Sequence, residues 1–318
     1  MNHSNYLKKI KNALMGFIVG DMVGVPYEFT PREDLIDNPI ENIGKNLKPD
    51  RRHNVPFGAW SDDTSLIIAT IDSIIKKKSV DIVDIFSNFW AWYHNGYFTY
   101  DDNLPFDVGQ STSQAIIFRR SGVDYDFGKP ENNGNGGLMR ILPIIFFTKN
   151  EENKEEIIKE VVSITHSHSI SIISAIIYAN IFWNLLAGIS ISDSLSNALA
   201  SGELYSIKEL GWTKKMYQET FSNTINYKKM NKKNIKSTGY VVDTLSCVFW
   251  AVHNFNNYNN SMLNIINLGG DTDTICALSG AVLGFVYGKI KWSWKMKLVK
   301  RRYLNSLISD FLNILPKY

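Results

Sequence analysis

An all-α fold is what this sequence predicts, and three observations predict it. Apolar residues recur at steps of three and four along most of the chain. Convincing period-two alternation is scarce, and the intervening stretches are rich in Asn, Asp, Gly and Pro. No repeat or linker divides the chain, so residues 1–318 read as one compact multi-helix domain. With 318 residues and 44% hydrophobic content, the chain can bury a large core.

Taken in order, the first segment places Leu7, Ile10, Leu14 and Phe17 on one helical face. Gly16, Gly20 and Gly24 follow at intervals of four, so either another backbone approaches closely or the helix exits into a loop. Helical spacing returns in 66–75, 82–92, 157–164, 170–186, 240–252 and 275–287. The last of these lines up Ala277, Ala281, Gly284 and Gly288, a stripe suited to tight helix packing. Stretches 30–56 and 98–105 read as loops. The run 170–187 is long and apolar, but Ser171, Ser174, Asn180 and Asn184 interrupt it. A buried core helix is therefore expected, and not a membrane span. Lys8, Lys9 and Lys11 before an apolar 13–20 imitate a signal peptide. Asp21 interrupts that run and no cleavage pattern follows, so a cytoplasmic protein is expected, and a monomer.

Composition excludes several classes. A net charge of +3 gives no indication of nucleic-acid binding. Cys247 and Cys276 lie far apart in apolar runs and read as buried free thiols. No cysteines or histidines have finger spacing, and His166 and His168 lack a third soft ligand nearby, so zinc is not expected. Lys228, Lys229, Lys232, Lys233 and Lys236, like the basic stretch 289–302, read first as solvated faces. Attraction of an anionic nucleotide-bearing substrate is the less favoured reading.

The chemistry concentrates in two acidic clusters, Ser61-Asp62-Asp63-Thr64 and Asp271-Thr272-Asp273-Thr274, each followed by an apolar helix. If the fold unites them, four carboxylates meet. At an effective dielectric of about 20, two like charges 4 Å apart repel by about 4 kcal/mol. One or two divalent cations of the Mg²⁺ or Mn²⁺ type resolve this most cheaply, because they take carboxylate, hydroxyl and water oxygens. The competing reading is helix capping by the aspartates. An EF-hand fails, since Ile275 and Val282 occupy ligand positions. A D-x-D-x-T phosphatase would need a preceding strand. Gly134-Asn135-Gly136-Gly137-Leu138 is a glycine-rich turn running into a helix start, where backbone N–H groups suit phosphate. It is neither a Rossmann fingerprint, because the preceding 124–132 is polar, nor a P-loop. Glu28, just past the first helix, reads on its own as a solvated loop residue.

Together, G-D-x-x-G-x-P-Y-E-F (20–29), G-x-W-S-D-D-T (58–64), N-G-G-L-M-R-I-L-P (135–143), T-H-S-H (165–168), G-Y-V-V-D-T-L (239–245) and N-L-G-G-D-T-D-T (267–274) resemble the ADP-ribosylglycohydrolases, in the family order and across almost the whole chain. The resemblance implies an all-α fold with two Mg²⁺ or Mn²⁺ ions. Their ligands would be Ser61, Asp62, Asp63, Asp271, Asp273 and Thr274, with Asp273 bridging. Glu28 would be the mobile catalytic glutamate, acting with Asp62 and Asp63. Gly134, Asn135, Gly136, Gly137 and Leu138 would cradle the ADP-ribose phosphates, and His166 would lie near the distal ribose or phosphate. Ser61 departs from the family's usual Thr but keeps the hydroxyl. Residues 201–237 match nothing in the family and read as a specificity element or a tolerated surface insertion. The implied activity is metal-dependent cleavage of the C1″ bond of ADP-ribose. The substrate would be an ADP-ribosylated protein, arginine-linked by preference, or an ADP-ribose-containing small molecule; serine, acetyl-ester and nucleic-acid acceptors stay open. Rival readings are a non-catalytic ADP-ribose binder, a crystallin-like structural member and a stoichiometric toxin-neutralising protein.

Overall fold

The computed structural model describes residues 2–45, 53–123 and 126–317. At its centre, helix α1 (His3–Gly24) packs backbone to backbone against α14 (Thr272–Tyr287). The glycines are the cause. A Cβ on Gly16 would stand 2.2 Å from the Gly280 carbonyl oxygen, and one on Gly20 the same distance from that of Cys276. Gly284 meets the Asn12 carbonyl in return. Of the two expectations for the glycine ladder, close backbone approach is what occurs. The facing stripe on α14 differs from the expected one: Gly280 belongs to it, while Gly288 closes the helix at φ 64.

Around this pair lie α2 (Arg32–Asp37), α3 (Asp62–Lys77), α4 (Ile82–Asn95), α5 (Gln110–Ser121), α6 (Leu142–Phe147), α7 (Lys154–Val162), α8 (Ser169–Leu186) and α9 (Ile191–Leu210). The chain continues through α10 (Lys214–Thr220), α11 (Ser222–Ile225), α12 (Val241–Asn254), α13 (Tyr258–Ile266), α15 (Trp292–Lys295) and α16 (Arg301–Ile314). Only two isolated β-bridges interrupt this pattern among the described residues. The helices share one main apolar core, so the all-α expectation holds. Helix α8 is long and apolar enough to cross a membrane, yet Ile173, Ile176, Ile177, Tyr178, Ile181 and Phe182 are enclosed in that core. It packs against α7, α9 and α12.

Two sequence readings need correction. The stretch 30–56 is not all loop, since it contains α2; its residues 46–52 lie outside the described ones. Nor is 201–237 a surface insertion: Tyr217, Phe221, Tyr227 and Ile235 are buried in the core. Its lysines 228, 229, 232, 233 and 236 are exposed, as expected of a solvated face. Cys247 and Cys276 are buried free thiols.

Candidate active site

The α1–α14 contact sets the site, because it brings the C-terminal end of α1 against the N-terminus of α14. A Cβ on Gly24 would lie 2.4 Å from Asp273 Cα, and Thr272 Oγ1 donates to the Gly24 carbonyl at 2.9 Å. One turn earlier, Asp21 is fully buried. Its carboxylate accepts from Ser61 N at 3.1 Å, from the Ser61 hydroxyl at 2.9 Å and from Thr64 N at 3.0 Å. Asp21 thus ties the N-terminus of α3 to α1. With its proton given to Asp21, the Ser61 oxygen keeps lone-pair capacity for another partner. Across the gap, Thr274 donates to Asp63 Oδ2 at 3.0 Å, joining α14 to α3. Asn135 Nδ2 donates to Asp271 Oδ2 at 2.5 Å and to Thr244 at 3.0 Å.

The two acidic clusters therefore meet at two helix N-termini, where the helix dipoles favour negative charge. Carboxylate oxygens of Asp21, Asp63 and Asp273 come within 4.8 Å of one another. Asp63 Oδ1 and both oxygens of Asp273 are buried without any hydrogen-bond partner. Burial, with the neighbouring carboxylates, pushes Asp62, Asp63 and Asp273 well above the usual carboxylate range. Burial also raises Asp271, and takes Asp21 up to about 6 against its hydrogen bonds. Orphaned hard oxygens at this density fit a divalent cation, since a buried carboxylate otherwise needs a proton or a partner. The capping alternative does not describe Asp271, which makes no side-chain cap to α14.

A cleft of about 230 Å³ opens over this cluster, lined on one side by Glu28, Asp62, Asp271 and Thr274. The opposite side carries Gly134, Asn135, Gly136 and His166. Asn135–Gly137 form a 3-10 turn and not the first turn of a helix, which begins only at α6. Asn135 N bonds the Gly239 carbonyl at 2.9 Å, anchoring the turn to the segment before α12. From below, the buried Arg140 guanidinium donates to the carbonyls of Gly136 (2.8 Å), Val161 (3.1 Å) and Val162 (3.2 Å). Gly137 packs on Val162 and His166, and Leu138 is buried in the core, so neither lines the cleft. His166 is buried, with Nδ1 2.6 Å from Thr165 Oγ1. Burial and the Arg140 charge lower it to about 3, so it enters the cleft as a neutral imidazole. His168 turns away and caps α8 through Nδ1, which separates the H-x-H pair.

A family model for ADP-ribosylglycohydrolase matches residues 2–317. The chain belongs to the ADP-ribosylglycohydrolase family. This glycohydrolase is 29% identical to the ADP-ribosylarginine hydrolase Tri1 of Serratia proteamaculans, over 99% of this chain and 81% of that one. It is 24% identical to the ADP-ribosyl-(dinitrogen reductase) glycohydrolase of Rhodospirillum rubrum, over 90% and 88% of the two chains. A solved ADP-ribosylglycohydrolase-related protein complex shares the fold at TM-score 0.72 and 20% identity, covering 98% and 99%. An enzyme that hydrolyses ADP-ribosyl bonds, with a buried acidic cluster able to hold metal, follows from the family and the geometry together.

Sequence reasoning missed four side chains of this glycohydrolase. Asp21 and Arg140 stood inside quoted motifs, but nothing local shows that one reaches α3 and the other α7. His53 Nε2 lies 2.7 Å from Glu28 Oε2 and 4.0 Å from Asp107 Oδ1. Neither His53 nor Asp107 carries a spacing signal, because their partners are distant in the chain.

Proposed function

We propose that the protein releases ADP-ribose from arginine side chains of a modified protein, using divalent cations held by Ser61, Asp62, Asp63, Asp271, Asp273 and Thr274. The observation that carries this reading is the set of partnerless, buried carboxylate oxygens on Asp63 and Asp273, next in sequence to Asp62 and Thr274, which line the cleft. Mg²⁺ or Mn²⁺ suits the all-oxygen donor set, and two ions suit its four carboxylates. Bound there, the cations would neutralise the cluster, hold ribose hydroxyls and polarise a water.

The chain's own residues account for the rest. The Gly134 and Gly136 backbone N–H groups bind the phosphates, the Asn135 N–H being already given to Gly239, and a Cβ on Gly136 would stand 2.7 Å from Thr112 Oγ1. Neutral His166 offers the distal ribose or phosphate a hydrogen bond without adding charge. Cleavage breaks the C1″–N bond, water oxygen adds to C1″, and the water's proton passes to the departing guanidine nitrogen. Glu28 moves that proton as acid or base. The surrounding carboxylates offset positive charge developing at C1″, as in other glycosyl hydrolyses. Arginine as acceptor is supported by the activity named for Tri1 and by the acidic lining of the cleft. Asp107 and Glu131 both line it, and a guanidinium is held best by carboxylates.

The test is release of ADP-ribose from arginine-linked and serine-linked protein under identical metal conditions. Multiple turnovers are expected, with kcat/KM at least about tenfold higher on the arginine linkage, a difference of roughly 1.4 kcal/mol. Equal or faster release from serine would remove the arginine assignment.

A further inference from the structure

We propose that His53 is a positioning residue that orients the Glu28 carboxylate in the cleft through a hydrogen bond from Nε2. The inference rests on the reading of Glu28 as the proton-transfer group. Backbone contacts already fix where Glu28 begins. It follows the 3-10 turn Val25–Tyr27 and precedes Phe29, whose φ of 53 is unusual for a residue with a side chain. Phe29 N is tied to the Gly270 carbonyl at 2.6 Å, and Gly270 N to the Thr30 carbonyl at 3.2 Å. These bonds lock the Glu28 Cα to the loop that leads into Asp271 and Asp273.

The side chain itself still has three torsions to fix, and a hydrogen-bond donor beside its carboxylate can fix them. His53 Nε2 is 2.7 Å from Oε2, and both side chains are nearly buried, at 10% and 2% exposure. A carboxylate accepts, so Nε2 carries the hydrogen. The imidazole is itself braced, its ring centroid 4.9 Å from that of Phe106. Phe106 adjoins Asp107, so the brace links Glu28 to the acidic side of the cleft where the acceptor would sit. His53 thus sets which carboxylate oxygen faces the reacting bond, without touching substrate.

The experiment is a double-mutant cycle on ADP-ribose release, with ADP-ribose affinity and melting temperature measured for every variant. His53→Ala is expected to lower kcat about tenfold or more, with KM and ADP-ribose affinity within about twofold of wild type. His53→Phe keeps the ring against Phe106 but removes the donor, and should match His53→Ala. His53→Gln restores a donor and should recover part of the rate. In a Glu28→Gln background, His53→Ala or His53→Phe should change kcat less than about twofold, because the group it orients is already disabled. Wild-type kcat in His53→Phe, or a His53 effect that persists in full on top of Glu28→Gln, overturns the proposal and leaves Glu28 in its role. Wild-type kcat in Glu28→Gln itself overturns the reading of Glu28, and the proposal with it.

Discussion

Asp63 and Asp273 together keep three carboxylate oxygens buried with no partner, and so dense a set of acids must hold either cations or protons. The alternatives respond oppositely to pH. In the metal-free protein the raised carboxyl groups bind protons that the unfolded chain, with Asp near about 3.9, has already lost. Their favourable share of stability is complete below that value. It falls away as pH rises through the folded values, about 6 in the case of Asp21. Metal should replace the lost protons. The rise in melting temperature on adding Mg²⁺ or Mn²⁺ is therefore expected to grow from about pH 4 to above pH 6. Thermal melts with and without chelator measure this, and a metal increment that shrinks over that window would contradict the cluster's assignment. At this scale the sequence was legible where acids stand side by side, as in Asp62-Asp63 and Asp271-Thr272-Asp273. It was illegible for Asp21, His53 and Asp107. Each is a single polar residue whose partner is 25 or more residues away, and no local spacing encodes such a contact.

Between elements, the α1–α14 contact is what brings the acidic clusters together, and its glycines leave no room to adjust. A Cβ on Gly20 would stand 2.2 Å from the Cys276 carbonyl oxygen, 2.6 Å from its carbon and 2.9 Å from Ala277 Cα. All three are backbone atoms, so the helices themselves would have to separate. Gly20→Ala should cost at least about 2 kcal/mol of stability, the range of an overpacked core, and should weaken metal binding as well. Denaturant unfolding with a parallel metal titration checks both. A Gly20→Ala protein of wild-type stability would mean that the helices tolerate separation. Helices with a strong apolar stripe, such as α3, α4 and α12, could be read from spacing. Helix α9 could not, because its buried stripe includes the small Ala198 and Gly202 while the apolar Leu204 and Ile207 stay exposed on other faces. Six-residue α2 and α6 are too short for a period to emerge; their ends are set by contacts distant in sequence.

Across the whole molecule, one large apolar core supports the fold, and the acidic cluster sits at its edge as a local cost. Metal should therefore matter far more to activity than to folding. At 100 times its dissociation constant, a cation bound only by the native state adds about 2.7 kcal/mol per site. The measurement that tests the account most directly is ADP-ribose release by protein stripped with chelator and then titrated with Mg²⁺ or Mn²⁺, with bound metal counted and far-UV helicity followed. Stripped protein is expected to keep its helicity, melt several degrees lower and release no ADP-ribose. Activity should return in step with one or two ions per chain, and Asp273→Asn should fail to recover it. Full activity in exhaustively stripped protein, with no metal detected, would contradict the central claim that this carboxylate cluster works as a metal centre.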